Sequence, residues 1–193
     1  ISSSFRLCAR ATVSVCLLVA LTPVAAEAQA PPFLLQWGSA GQGAGQFGFG
    51  DVAGLAIDVA GNVYVCDPTN HRVQKFTSDG TFLLKWGTDG TGPGQFGGYA
   101  PNGICVNDSG YIFTASQDGT IQKFTSAGTF VKRWGGHGAG NGQFNHCYGI
   151  WATADELFAS DLNNHRIQQF TTSGVFVGSW GTPGTSDGQL AGP

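Results

Sequence analysis

Four polar residues in this 193-residue sequence stand where they could bind a ligand or a metal ion: Asp51, Asn102, Asn145 and His146. Each lies shortly before a glycine that begins an apolar run. Carboxylate and amide oxygens are ligands that Ca²⁺ prefers, and a histidine would add Zn²⁺ binding or general-base chemistry. The alternative is that they line a solvated surface. No paired carboxylates, Ser-His-Asp set or activated cysteine at recognisable spacing accompanies them.

A second polar group occurs twice in the sequence. Asp67, Asn70, His71 and Arg72 recur as Asp161, Asn164, His165 and Arg166. Because a catalytic site is normally singular, this recurrence favours a structural role. Asp and Asn side chains bond the backbone of their own loop, and Arg pairs with a nearby carboxylate. We therefore expect these eight residues to shape a repeated loop, and we predict no catalytic residue among them.

The glycine-rich stretch KWGTDGTGPGQFGG, residues 85–98, resembles a phosphate-binding loop, because its glycines would let backbone N–H groups approach a phosphate. The stretch is not unique, however. Related segments begin at Trp37, Trp86, Trp134 and Trp180, at intervals of 49, 48 and 46 residues. A nucleotide site needs one such loop before a helix, and no segment after residue 30 has helical periodicity. The glycines are better interpreted as crossings between successive sheets.

The elements that must position these residues follow the same period. The segments 73–87, 121–135 and 167–181 align without gaps. Each repeat holds four short runs rich in Val, Ile, Tyr, Phe and Thr, joined by glycine-containing turns. Four antiparallel strands in a repeat of this length are typical of a propeller blade. We predict an all-β fold with blades at about 54–87, 103–135 and 149–181.

The repeat resembles a known family. GNVYVCDPTNHRVQKFTSDGTFLLKWG, residues 61–87, is similar to the NHL repeat, and the third repeat resembles it closely. The second repeat departs, because Ser116–Thr120 stands where the others have Asp-x-x-Asn-His-Arg. The resemblance covers residues 33–193 and implies a six-bladed propeller. Three blades would then be a fragment, and residues 33–37 would be the closing strand of the missing last blade. A half-ring that closes by dimerisation is the alternative.

Residues 1–30 have the pattern of a secretory signal peptide. Arg6 and Arg10 precede an apolar run, and small-residue cleavage patterns follow it. The run is shorter than the roughly 20 apolar residues that a membrane-spanning helix needs. We therefore expect a secreted or periplasmic protein with no stable membrane insertion after cleavage, and residues 31–193 as its propeller domain.

The cysteine residues and the net charge limit which metals, disulfides and partners the sequence predicts. Cys66, Cys105 and Cys147 follow the signal peptide without metal-binding spacing. We interpret them as small buried residues, and one disulfide is the alternative. The net charge is −3 and the cations are scattered, so the sequence has no electrostatic footprint for nucleic acid.

Three functions remain to be compared. The leading hypothesis is a secreted binding scaffold that presents its loop face to a protein, peptide or glycan, with no evident cofactor. The alternative is a metal-dependent enzyme, because the resemblance extends to peptide-amidating lyases and to six-bladed lactonases that hold an axial metal. Ca²⁺ or Zn²⁺ would then be the cofactor. RNA binding or ubiquitin-ligase scaffolding, as in intracellular NHL proteins, is opposed by the export signal, the acidic balance and the missing RING-type Cys/His cluster.

Overall fold

The computed structural model describes residues 34–49 and 52–193. The predicted signal peptide and the candidate Asp51 lie outside the described residues. The described chain is all-β, with three four-stranded antiparallel sheets, each ordered as in the sequence, and one short parallel pair. Its only helices are the 3₁₀ turns Pro68–Asn70 and Leu162–Asn164. None of the described helices has the length and apolarity needed to cross a membrane. The predicted fold class is confirmed.

The strands group into three blades. The parallel pair is β1 (Ser39–Ala40) and β2 (Gln46–Phe47). Blade 1 contains β3 (Leu55–Ile57), β4 (Val63–Asp67), β5 (Arg72–Phe76) and β6 (Phe82–Trp86). Blade 2 contains β7 (Gly103–Val106), β8 (Ile112–Ala115), β9 (Thr120–Phe124) and β10 (Phe130–Gly135). Blade 3 contains β11 (Cys147–Ala152), β12 (Glu156–Asp161), β13 (Arg166–Thr171) and β14 (Phe176–Trp180).

The hydrophobic core lies between blades. Side chains of a strand alternate between the two faces of its sheet, and here both faces are apolar, so a blade needs a neighbour on each side. Between blades 1 and 2 the buried side chains are Tyr64, Cys66, Val73, Phe96, Ala100, Ile104, Ile112 and Phe124. A second cluster, which includes Phe113, Ile121, Phe144, Leu157 and Phe170, fills the space between blades 2 and 3. Packing between repeats therefore supplies most of the buried apolar surface.

A tryptophan at the end of one blade packs on the blade that follows. The Trp86 ring lies 5.8 Å from the ring of Phe124. It also covers Gly128, where a Cβ atom would come within 2.9 Å of the indole. Trp134 packs in the same way on Phe170 and Gly174, and Trp37 on Phe76 and Gly80. Residues 34–38 form no strand in the described chain, so the closing-strand assignment of 33–37 stays a prediction.

The first strands of neighbouring blades approach each other at glycines. A Cβ atom on Gly103 would overlap the carbonyl oxygen of Tyr148. A Cβ atom on Gly54 would lie 2.6 Å from the carbonyl oxygen of Asn102. Neither glycine has a positive φ angle, so space is what excludes a side chain here.

We expect Gly103→Ala to destabilise the fold by about 1–3 kcal/mol, because the methyl group forces two backbones apart. Urea denaturation would measure the change in unfolding free energy. The matched control is Gly178→Ala in β14, where a Cβ atom meets nothing within 4 Å. That substitution should be neutral or slightly stabilising. Equal losses in the two variants would contradict the close approach of the first strands.

Candidate functional site

The recurring polar residues hold each regular blade to the glycine-rich crossing before it. The Asp67 carboxylate is fully buried and accepts hydrogen bonds from Arg72 Nε at 2.9 Å and Asn70 Nδ2 at 2.9 Å. It also accepts the backbone N–H of Gly48 at 3.0 Å. The terminal nitrogens of Arg72 donate to the carbonyl oxygens of Gln42, Gly43 and Gln46. This clamp, made by Asp67, Asn70 and Arg72, places the crossing and the loop after β4 on one face, the loop face.

Blade 3 contains the same clamp. Asp161 accepts hydrogen bonds from Arg166 Nε at 2.7 Å and Asn164 Nδ2 at 2.9 Å. The backbone N–H of Asn145 donates to it at 2.7 Å. His71 and His165 both end their 3₁₀ turns in the left-handed conformation at φ 52°. The Asp, Asn and Arg members of the recurring set therefore bond within the scaffold, whereas the buried Nδ1 atoms of His71 and His165 have no hydrogen-bond partner among the described residues.

Blade 2 lacks this clamp, and other residues replace it. Its loop is a tight turn at Ser116–Gly119, closed by a hydrogen bond from Gly119 N to Ser116 O at 3.0 Å. Gln122 still bonds the crossing, accepting from Gly94 N and donating to Gln95 O, each at 2.8 Å. Arg133, on β10, donates to the carbonyl oxygen of Thr91. The turn at Ser116–Gly119 therefore does not hold the crossing, unlike the equivalent loops of blades 1 and 3.

Blade 3 departs from the repeat at the start of its first strand. His146 has φ 66°, and among the described residues of blades 1 and 2 no non-glycine residue at this point of the repeat has a positive φ. The pairing of β11 with β12 then shifts register between Cys147 and Ile150. Such a bulge redirects side chains and occurs often beside functional sites. Here Ser160 Oγ accepts the N–H of Gly149 at 2.8 Å, and the Tyr148 side chain is exposed.

The two departures meet at the boundary between blades 2 and 3. We call this the junction site, and its residues are Gln117, Asn145, His146, Tyr148 and Asn163. Gln117 Nε2 donates to the Tyr148 hydroxyl at 2.7 Å. Asn163 Nδ2 lies 3.2 Å from Asn145 Oδ1 and 3.3 Å from His146 Nδ1. The rings of His146 and Tyr148 are 6.2 Å apart and nearly perpendicular. Aromatic rings and amide groups thus share one partly exposed surface.

The predicted ligand-binding residues lie in two different environments. Asn145 and His146 lie together in the junction site. Asn102 is buried at the start of blade 2, and its Oδ1 atom has no hydrogen-bond partner among the described residues. Sequence reasoning missed Gln117, Tyr148 and Asn163. The signal for Gln117 was available, because it lies in the one loop that breaks the Asp-x-x-Asn-His-Arg pattern.

Metal and thiol chemistry have little support in the described part of the chain. Residues 34–49 and 52–193 contain no group of three or more His, Cys, Asp or Glu side chains placed to hold a metal ion. Cys66, Cys105 and Cys147 are buried and unpaired. Burial raises the pKa of the Cys105 thiol to about 12 and raises the pKa values of Cys66 and Cys147 as well. The thiols are therefore protonated at neutral pH and do not act as nucleophiles.

Three four-stranded blades packed through apolar interfaces define the described chain as part of a β-propeller. Residues 49–76 match the family model described as NHL repeat. The described chain therefore contains an NHL repeat within a partial β-propeller. A comparison with curated proteins finds no match.

Solved structures with the same fold include proteins named as lyases. A streptogramin B lyase has a TM-score of 0.52 at 15% identity, covering 72% of this chain and 44% of that one. A virginiamycin B lyase from Staphylococcus aureus has a TM-score of 0.50 at 14% identity, covering 69% and 42%. The catalytically inactive histidine-to-alanine variant of that lyase, with quinupristin, has a TM-score of 0.53 at 20% identity, covering 77% and 45%. The match spans less than half the length of these enzymes and shows the fold.

Breaking the clamp should destabilise the fold strongly. Asp67→Asn would leave the guanidinium of Arg72 buried beside a neutral amide, and we expect a loss of about 3–5 kcal/mol in unfolding free energy. The control is Asp89→Asn, because that carboxylate is 73% exposed and lies 3.8 Å from its nearest partner, His71. The control should change stability by less than about 0.5 kcal/mol. A clamp variant with an unchanged urea midpoint would refute the role assigned to Asp67.

Proposed function

We propose that this chain is the binding part of an exported NHL-repeat propeller, which takes up its ligand on the loop face at the junction site. The observation that carries the proposal is the Gln117–Tyr148 hydrogen bond, which joins the two places where the repeat is broken. Exported means secreted or periplasmic, as the sequence of residues 1–30 suggests. The whole ring is proposed to have six blades, as the NHL resemblance implies.

The same loop can be compared between the three blades. In blades 1 and 3 the carboxylate and guanidinium groups that flank the loop after the second strand form hydrogen bonds with the backbone of the crossing. In blade 2 the corresponding loop instead directs Gln117 toward the neighbouring blade. A clamp that is lost in one blade only, with Arg133 on β10 bonding the crossing instead, is consistent with a loop that serves another purpose. Selection for folding alone would favour the regular clamp.

The conformation of His146 supports the same proposal. A bulky residue in the left-handed region costs on the order of 1 kcal/mol and persists only where surrounding contacts hold it. The carbonyl oxygens of Asn145 and His146 accept the N–H groups of Asn163 and Leu162, each at 3.0 Å. This pairing fixes the histidine ring beside Tyr148 and keeps it on the surface.

A fragment screen would test the binding proposal without a known ligand. Saturation-transfer NMR on the full chain should find small polar fragments that contact Tyr148, and Tyr148→Ala should abolish those signals. Gln169→Ala is the matched control, because this glutamine bonds Glu156 within blade 3 and lies outside the junction site. Fragments that bind both variants equally, or no fragments at all, would count against a binding surface at this place.

A propeller enzyme is the second candidate, and the position of His146 is the observation in its favour. The inactive variant of virginiamycin B lyase has lost a histidine, which makes a partly exposed histidine on a similar propeller worth testing. In this chain His146 would move a proton at its ring nitrogen, with the Tyr148 ring 6.2 Å from its own. In the metal-dependent form, Ca²⁺ or Zn²⁺ would be held by oxygens of Asp51, Asn102 and Asn145 together with His146.

Metal analysis separates the two candidates. For a binding module we expect no tightly held metal after exhaustive dialysis, and unchanged fragment binding in EDTA. One equivalent of Ca²⁺ or Zn²⁺ per chain that is lost in His146→Ala would favour the enzyme instead. Melting temperatures of the two proteins show whether the variant has kept its fold.

A further inference from the structure

Exposed aromatic rings lie in the segments that lead from a crossing to a blade, or in the first strand itself. Phe49 and Tyr99 lie in such segments ahead of blades 1 and 2, whereas in blade 3 the exposed ring is that of Tyr148, the second residue of β11. Their exposed fractions are 84%, 38% and 39%. Aromatic side chains are mostly buried in a propeller of this kind, where they pack between blades. These three rings therefore leave apolar surface partly exposed, and Tyr148 is the one that belongs to the junction site.

Amide groups stand beside one of these rings. Gln117 donates its N–H to the Tyr148 hydroxyl, which leaves the hydroxyl proton and Gln117 Oε1 for other partners. Asn163 uses its N–H toward Asn145 and His146, which leaves its own Oδ1 as an acceptor. The junction site thus presents one donor and two acceptors around an aromatic ring. A ligand that satisfies all three needs groups that both donate and accept, as hydroxyl groups do.

Positive charge is missing from this part of the loop face. Within the described residues, the segments 48–49, 52–54, 97–103 and 145–149 contain no Lys or Arg, and neither do the loops 116–119 and 162–164. The guanidinium groups of Arg72 and Arg166 are bound in the clamps. Lys75, Lys123 and Lys132 donate to hairpin carbonyls of neighbouring blades. A phosphate, sulfate or carboxylate ligand would find no lysine or arginine in these segments, and Asp118 would repel it.

We propose that the junction site binds an uncharged oligosaccharide. The apolar C–H face of a sugar ring stacks on Tyr148, while its hydroxyl groups meet the amide oxygens and the tyrosine hydroxyl. This inference rests on the proposed binding function and names its ligand class.

An extended peptide is the competing ligand, and the site favours it less. Peptides are recognised through an unpaired strand edge with pockets for alternate side chains, or through a groove. Between blades, the first strands approach so closely at Gly54 and Gly103 that no strand fits between them. The junction site itself offers ring faces and amides on an open surface. These features match a ligand that is rich in hydroxyl groups and carries no charge.

Isothermal titration of the full chain with neutral and anionic sugars tests the proposal. The neutral probes are cellohexaose, maltohexaose and chitohexaose, and the anionic probe is hexagalacturonate. We expect at least one neutral probe to bind and the anionic probe to fail. Tyr148→Ala should weaken binding about tenfold or more, since a central aromatic contact dominates such a site. Tyr148→Phe keeps the stacking ring and should lose only a few-fold, and Gln169→Ala should bind as the parent does.

The outcomes separate the ligand class from the binding function. If random neutral decapeptides bind at Tyr148 and none of the sugars does, the oligosaccharide inference is wrong and the binding function stands. Binding of hexagalacturonate in preference to the neutral probes would also overturn the ligand class. If a neutral sugar binds equally to the parent and to a folded Tyr148→Ala variant, the assigned site is wrong. Failure of both the sugars and the fragment screen would end the proposed function itself.

Discussion

A buried carboxylate bonded to an arginine and to a glycine-rich backbone organises the regular blades of this protein. Asp67 is fully buried, and Arg72 beside it is nearly so. The pair is tolerable in an apolar interior because the Asp67 carboxylate and the Arg72 guanidinium bond to each other, to Asn70 and to the crossing backbone. Since the crossing leads directly into the first strand of the blade, the clamp also sets where that strand begins. The loop face is therefore built on a polar network, whereas the cores between blades are apolar.

The same network makes departures from the repeat informative. Blade 2 loses the carboxylate, the asparagine and the arginine together, and its crossing is held by Gln122 and Arg133. Blade 3 keeps the clamp but gains a bulge and a left-handed histidine. These changes lower the stability of the fold, so selection for folding alone would not favour them. They lie in different repeats and meet in space through Gln117 and Tyr148, which is why the junction site is the better functional candidate.

The similarity to lyase propellers shows the fold of this protein. Its chemistry has to be inferred from its own residues. At 14–20% identity, over less than half the length of those enzymes, the shared feature is the stacking of blades. Propellers present their loop face regardless of what they bind, because the interfaces that stabilise the ring lie between the blades. Binding or catalysis can thus change on that face with little effect on the core.

The sequence by itself determined the blades. Tryptophan at nearly constant intervals and the repeated turn glycines indicate four short strands per repeat, because each pattern follows from local geometry. The sequence also separated recurring from singular polar residues, which selected Asn145 and His146. Only the tertiary structure decided that Gln117, Tyr148 and Asn163 join them. Gln117 and Tyr148 are 31 positions apart, and their contact depends on a loop that lost its clamp and on a bulge in the next blade. Neither the bulge nor the packing of two blades is a local property of the chain, so no sequence motif could have predicted this contact.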